Sequence, residues 1–193
     1  MSAAPALGAV VLAAGASRRL GRPKQLIEID GEPLVRRVVR AALDAKPRDL
    51  LVVLGHTDPG IAAALADLPV RTLSIDDADT GVAATLRAGI AALDPVCAAA
   101  MIVLTDQPAL SAAHLHALAS AWRAAPERAV ASAYAHVIGV PAIVPRAWFD
   151  DVAQLSGDVG ARALLRARRD AVSVVEAPEL AADIDTPDDL RHI

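Results

Sequence analysis

Short apolar runs of strand length alternate along the chain with longer segments of helical period. Residues 9–13 (AVVLA), 49–54 (DLLVVL), 70–75 and 98–104 (AAAMIVL) read as buried strands. Between and after them, residues 33–45, 57–67, 81–93 and 111–125 read as helices. The first carries Leu34, Val38, Ala41 and Ala42 on one face and Arg36, Arg37 and Arg40 elsewhere. Pro59 sits early in the second, where proline is tolerated, and Ser111 is a suitable N-cap for the fourth. Further strands are expected at 129–135, 142–144 and 172–175. Strands apolar on both faces, each followed by a helix, predict a mostly parallel sheet covered on both sides, a three-layer Rossmann-like α/β domain. No repeat, low-complexity tract or linker divides the chain, so residues 1–193 are expected to form one domain.

Such sheets bind ligands beyond the carboxyl ends of their strands, at a topological switch point. The polar segments fall there: 15–24 after the first strand, 76–85 after the third and 105–108 after the fourth. Composition narrows the ligand. Aromatic residues are 2% of the chain (Trp122, Tyr134, Trp148 and Phe149) and the net charge is −4, which together argue against a nucleic-acid footprint. The opening segment lacks a basic n-region and its charges follow the apolar part, the reverse of a signal peptide. No stretch approaches the ~18 apolar residues of a membrane span. Cys97 is alone, so neither a disulfide framework nor a cysteine zinc site is expected. It reads as a small buried hydrophobe, and the protein as cytoplasmic. The five histidines show no ligand spacing and read as surface or hydrogen-bonded side chains.

Against this acidic background, Arg18, Arg19, Arg22 and Lys24 crowd into the small-residue turn after the first strand. A turn supplying backbone N–H groups, beside Arg19 and Lys24, suits a phosphate-rich anion. It is not a P-loop: five residues separate Gly15 from Gly21, and no Gly-Lys-Ser/Thr follows. Nor does Gly-x-Gly-x-x-Gly occur. After the fourth strand, Thr105-Asp106-Gln107-Pro108 puts a carboxylate at the rim. Asp106 reads as a ligand for Mg²⁺, which binds through one or two carboxylates plus phosphates and waters, or as a helix-initiating residue. Near the end, Asp183 and Asp185 alternate to one face about Ile184. Asp188 and Asp189 read as the first turn of a last helix, with Pro187 at N1.

Leu12, Ala14, Gly15, Ser17, Arg19, Gly21 and Lys24 match a signature Leu-x-Ala-Gly-x-Ser-x-Arg-x-Gly-x-x-Lys, trailed by Gln25-Leu26 and Gly31-Glu32-Pro33-Leu34. This segment, Asp106-Gln107-Pro108 and the closing Asp183-Ile184-Asp185-Thr186-Pro187 resemble the molybdenum-cofactor nucleotidyltransferases, which include the molybdopterin cytidylyl- and guanylyltransferases. The resemblance implies a nucleotide-diphospho-sugar transferase-like domain. The implied reaction carries a nucleoside monophosphate from Mg²⁺-bound NTP to the phosphate of molybdopterin, releasing pyrophosphate. Ala13-Ala14-Gly15 resembles the cytidylyl branch more than the guanylyl branch, so CTP is expected before GTP. By the same resemblance, Arg19 and Lys24 act on the triphosphate, while Leu12, Ala13, Ala14, Gly15 and Ser17 hold the nucleotide with Asp76, Gly81 and Thr85. Asp106 and Asp183 then hold the metal. Gly139, Pro141, Asp158, Arg162 and Asp185 form the acceptor side. Val140 stands where the family often has His, and Arg162, at i+4 from Asp158, equally suits a salt bridge with it. A molybdoenzyme or its chaperone is the implied partner. Open alternatives are another phosphorylated acceptor (a sugar phosphate or terpenoid-precursor phosphate), an NAD(P)-dependent oxidoreductase, and a nucleotide-binding regulator without catalysis.

Overall fold

The apolar run that opens the chain becomes β1 (Ala6–Ala13), near the middle of a seven-stranded sheet. The computed structural model describes residues 4–15, 17, 20–55, 59–76, 81–184, 186, 188 and 189. After β1 come β2 (Glu28–Ile29), β3 (Glu32–Pro33), α1 (Leu34–Asp44), β4 (Asp49–Gly55), α2 (Pro59–Ala63) and β5 (Arg71–Ile75). Then follow α3 (Val82–Ala91), β6 (Cys97–Leu104), α4 (Ala112–Ala124), β7 (Ala129–Tyr134) and β8 (Val137–Pro145). The last elements are α5 (Phe149–Ala153), α6 (Ala161–Ala167) and β9 (Val172–Glu176). Strand order is β5-β4-β1-β6-β8-β7-β9. Only β8 runs against the others, between β6 and β7.

Alternate residues of β1 serve the two layers. Ala9 and Val11 pack with Leu34 and Val38 of α1 and with Leu115 and Trp122 of α4. Val10 and Leu12 pack with Leu86 and Ile90 of α3, Val152 of α5 and Leu165 of α6. Burying each such large aliphatic side chain contributes about 1.5–3 kcal/mol, which places helices on both faces. Ser111 caps α4, its Oγ accepting from the His114 N–H at 3.2 Å. Cys97 is buried, and desolvation pushes its thiol pKa up. Among the described residues, no helix is long and apolar enough to cross a membrane.

The structure departs from the expected elements where a local residue overrides periodicity. The helix expected at 57–67 is α2 followed by tight i→i+3 turns such as Leu68 N–H to Leu65 at 3.0 Å. Pro69 disfavours a helical Leu68 and closes the segment. β5, an edge strand, is exposed at Arg71, Thr72 and Ser74, so it is not apolar on both faces. β8 is far longer than 142–144 because Gly139 and Pro141 interrupt its pattern without ending it. The β2–β3 hairpin and helices α5 and α6 carried no expectation. Asp30 and Gly31 form the hairpin turn with φ of 54° and 79°, as a two-residue loop with twisted strands requires.

From β1 the chain moves outward to β4 and β5, then returns through α3 to β6 on the other side of β1. The crevice between the carboxyl ends of β1 and β6 is therefore the switch point. Parallel register sets Leu12 beside Leu104, so the loops after both strands leave the sheet at the same height.

Arg36 of α1 grips Asp67 through two bonds of 2.5 and 2.8 Å, tying α1 to the turn before β5. Hydrogen bonding to this guanidinium lowers the Asp67 pKa from 3.8 to about 2. A lowered carboxyl pKa contributes stability above the unfolded value and loses it as pH falls through the folded one. Asp67→Asn is therefore expected to be less stable than the wild type in urea at pH 7. That difference should vanish as pH falls from about 4 to about 2; a difference independent of pH would contradict it.

Candidate functional site at the β1–β6 crevice

Beyond Ala13 the chain leaves the sheet, and a single buried amide closes the loop. Gln25 is 1% exposed, and its Nε2 donates to the carbonyls of Ala13 at 2.9 Å and Gly15 at 2.8 Å. Ser17 takes φ of 48°, and its Oγ accepts the Lys24 N–H at 3.0 Å. The N–H groups of Leu20 and Gly21 both donate to the Ser17 carbonyl, at 3.0 and 3.2 Å. These bonds draw Gly15, Ser17, Leu20 and Gly21 together and deliver Lys24, at the start of a 3-10 turn, to the rim. A Cβ at Gly15 would meet nothing within 4 Å, so the loop faces open space there.

Across the crevice, Asp106 follows β6. Lys24 Nζ lies 3.0 Å from Asp106 Oδ2, with side-chain exposures of 16% and 19%. The other oxygen, Oδ1, is buried and accepts no hydrogen bond from any described residue. A buried carboxylate oxygen without a donor is costly unless something cationic completes it, and a hard oxygen suits a divalent cation. The Ile184 N–H donates to the Asp106 carbonyl at 2.9 Å, so the closing segment is fastened to the Asp106 turn. Ile184 is buried and Asp183 exposed, in line with alternation. Asp183 lines a cavity of about 500 Å³ together with Pro108 and Asp189. Among the described residues no group of three or more His, Cys, Asp or Glu could hold a metal. The buried Asp106 Oδ1 fits one hard-oxygen position of a divalent cation whose other positions phosphates and water would complete. Asp189 Oδ2 accepts from the Thr186 N–H at 2.7 Å and its hydroxyl at 2.9 Å, a helix-capping arrangement.

The third wall comes from β8 and the segment before α6. Ala131 pairs with Ala142 but Ser132 with Gly139, so Val140 and Pro141 bulge out of the β7–β8 ladder. Side chains take up the carbonyls this releases. Val140 O accepts from Gln107 Nε2 at 3.2 Å and the Tyr134 hydroxyl at 2.9 Å. Ser132 donates to Pro141 O at 2.6 Å. Its hydroxyl proton is thereby used, so His114 Nε2, 2.7 Å away, carries the hydrogen. Desolvation lowers the His114 pKa, and the ring is a satisfied core histidine as expected. At Gly139 a Cβ would come 2.7 Å from the Tyr134 hydroxyl oxygen, so only glycine lets the ring approach. Arg162 donates to that hydroxyl at 3.4 Å instead of pairing with Asp158.

The expected site residues are placed as follows. Leu12, Ala13, Ala14, Gly15, Ser17, Lys24 and Asp106 meet at the crevice. Gly81 takes φ of 99° at the start of α3, where any side chain would collide with the Gly157 carbonyl. The Ala83 N–H donates to that carbonyl at 3.1 Å, so the turn bearing Asp158 abuts α3. Thr85 is buried in the first turn of α3, and Asp76 is exposed just after β5. Arg18, Arg19 and Asp185 lie outside the described residues, as do Pro187, His56 and His192. Three residues without an expected role hold the site together: Gln25, Gln107 and Tyr134. The first followed Lys24 in the quoted signature, and the second sat inside Asp-Gln-Pro. Neutral polar residues raise no flag until burial is known.

The family model for the MobA-like NTP transferase domain matches residues 9–172. The purine catabolism protein PucB of Bacillus subtilis is 32% identical over 96% of this chain and 94% of its own. Nicotine blue oxidoreductase of Paenarthrobacter nicotinovorans is 29% identical over 98% and 97%. Bifunctional GlmU proteins match more locally; the Streptomyces griseus one is 39% identical over 62% of this chain, which spans only 26% of it. Among solved structures, Rv0371c of Mycobacterium tuberculosis superposes with a TM-score of 0.87 at 30% identity, covering 99% of this chain and 98% of that one. A manganese complex of Rv0371c is also known, at a TM-score of 0.81.

Gln25→Ala is expected to leave two carbonyls without their donor and cost about 1–3 kcal/mol in urea unfolding. Gln25→Glu can restore one of the two bonds, and only when protonated, which raises the folded pKa of the new carboxyl. Its stability relative to wild type should therefore fall as pH rises from about 4 to about 8. An unchanged relative stability across that range would remove Gln25 from the role of loop clasp.

Proposed function

The chain belongs to the MobA-like NTP transferase family, and within it we propose transfer of a nucleoside monophosphate from a Mg²⁺-bound triphosphate to the phosphate of molybdopterin. CTP is the favoured donor and the cytoplasm the setting. The observation that carries this reading is the Lys24–Asp106 contact of 3.0 Å, a cation and a carboxylate facing each other at the switch point. An acceptor phosphate oxygen attacks the α-phosphorus, the bond between α-phosphorus and bridging oxygen breaks, and pyrophosphate leaves with the electron pair. A phosphate acceptor is already an anion at neutral pH, so no side-chain base is needed. Positioning and charge neutralisation carry the rate.

We assign the residue roles as follows. Ala14, Gly15 and Ser17 offer backbone groups to the triphosphate, with Leu12 and Ala13 below them and Gln25 keeping the loop closed. Lys24, with Arg19 of the same signature, neutralises charge growing on the leaving pyrophosphate. Asp76, Gly81 and Thr85 flank the nucleoside. Asp106, through Oδ1, and Asp183 would hold the metal, which when bound would supply positive charge against the triphosphate. Gly139, Pro141, Asp158, Arg162 and Asp185 face the acceptor. Another phosphorylated acceptor, such as a sugar phosphate or terpenoid-precursor phosphate, would use the same machinery. A molybdoenzyme or its chaperone would receive the product. An oxidoreductase reading has one observation in its favour, the full-length likeness to nicotine blue oxidoreductase. It must contend with the missing dinucleotide glycine fingerprint.

Thermal unfolding with CTP, GTP, UTP or ATP plus Mg²⁺ tests the donor. A ligand at 100 times its Kd adds about 2.7 kcal/mol of stability. CTP is expected to give the largest shift, and a response to NADH but to no triphosphate would favour the redox reading. In a pyrophosphate-release assay with molybdopterin, Lys24→Ala and Asp106→Asn should each lower kcat by about 10²–10³-fold. Near-normal turnover in Asp106→Asn would take Asp106 out of the metal site.

A further inference from the structure

The described surface contains a cavity of about 960 Å³ that no step above uses, lined by residues including Tyr134, His136, Val174, Arg166, Arg169 and Glu176. Its position is set by strand direction. β7 and β9 run parallel, and β7 runs with β6 because β8 opposes both. The β7–β8 turn at Ala135 and His136 therefore lies on the same carboxyl rim as Asp106. Both turn residues have positive φ, 48° and 63°, and the hairpin tip forms one end of the cavity. From there the cavity runs along β9, where Val174 is 37% exposed.

The wall is cationic. Arg162, Arg166 and Arg169 recur at i, i+4 and i+7 along α6 and the turn after it, an arrangement of like charges that repel along one helix line. Arg168, between them, is engaged elsewhere: it pairs with Asp151 at 2.6 Å and lies over the Trp148 ring at 5.0 Å. Arg166 and Arg169 make no ion pair or hydrogen bond with any described residue, and Glu176 is the only carboxylate lining the cavity. Arg162 stands at the head of the line, bonded to the Tyr134 hydroxyl, which in turn donates to Val140 O beside Gln107. The ladder thus begins at the acceptor wall of the crevice and leads away from it over an apolar floor.

We infer that this groove is a second anion subsite, where Arg166 and Arg169 hold the distal anionic group of an elongated acceptor whose phosphate reacts at the crevice. This rests on the nucleotidyl-transfer reading and adds to it a substrate class: a phosphorylated molecule with a further anionic group beyond its reacting end. Adjacent strands lie about 4.8 Å apart, so β9, three strands from β6, lies roughly 14 Å from it across the sheet, a span that requires an elongated acceptor. A cavity of this size falls at the upper end of the range for small-molecule sites.

Two experiments separate this inference from the reading beneath it. Inorganic pyrophosphate, titrated into the protein, is followed by the His136 ring and arginine Nε–H resonances. Saturable shifts at His136, Arg166 and Arg169 are expected, with apparent affinity about ten-fold or more weaker in the Arg166→Ala/Arg169→Ala variant. Both side chains are exposed, so that variant should fold normally. No saturable response there, or one that survives the double substitution, overturns the subsite. Separately, for a phosphorylated acceptor that carries a further anionic group and yields pyrophosphate, the variant should raise the acceptor KM about ten-fold or more and leave the NTP KM unchanged. An unchanged acceptor KM overturns the inference and leaves nucleotidyl transfer standing. If no acceptor yields pyrophosphate, nucleotidyl transfer fails, and with it the assignment of the groove to an acceptor.

Discussion

One charged contact joins the two halves of the crevice, Lys24 to Asp106 at 3.0 Å across the gap between β1 and β6. Neither residue is near the other in sequence. They meet because a parallel ladder fixes Leu12 beside Leu104, and because a buried glutamine folds the loop after β1 tightly enough to return Lys24 to the rim. Thr105 adds a bond to the Leu12 carbonyl at 3.3 Å directly beneath. In a part-buried setting an ion pair organises more than it stabilises, since desolvation cancels much of its attraction. Its consequence here is directional: Asp106 is held by one oxygen, and the other is left buried and without a donor among the described residues.

The opposite wall is organised by neutral groups. The two-residue bulge at Val140 and Pro141 breaks the β7–β8 ladder, and Gln107, Tyr134 and Ser132 take up the carbonyls it releases. Gln107 follows Asp106 directly and also reaches the Leu180 carbonyl at 3.4 Å. One turn therefore fixes the carboxylate, the bulge and the chain leading to Asp183. Such networks are strong when all members are paired, and displacement of one carbonyl would be felt at the others.

Much of this was legible from the residues. Apolar runs marked the central strands because burial on both faces leaves few polar positions, and the charge cluster at 18–24 marked the loop against an acidic chain. Legibility failed where a neighbour in space decides. The length of β8 was hidden by Gly139 and Pro141, whose roles in a bulge depend on β7. The alternative of an Asp158–Arg162 pair gave way to a tyrosine from another strand, which helical spacing cannot foresee. Gln25 and Gln107 look ordinary until their burial shows that each amide must find partners.

The proposed reaction requires Asp106 Oδ1 to be a metal ligand opposite Lys24. A crystal structure with Mn²⁺ and a non-hydrolysable CTP analogue tests this directly through the anomalous signal of the metal. The predicted result is a metal peak bonded to Asp106, with Asp183 in its coordination shell and the triphosphate within reach of Lys24 Nζ. A metal bound elsewhere, with Asp106 Oδ1 still lacking a ligand beside the bound nucleotide, would contradict it.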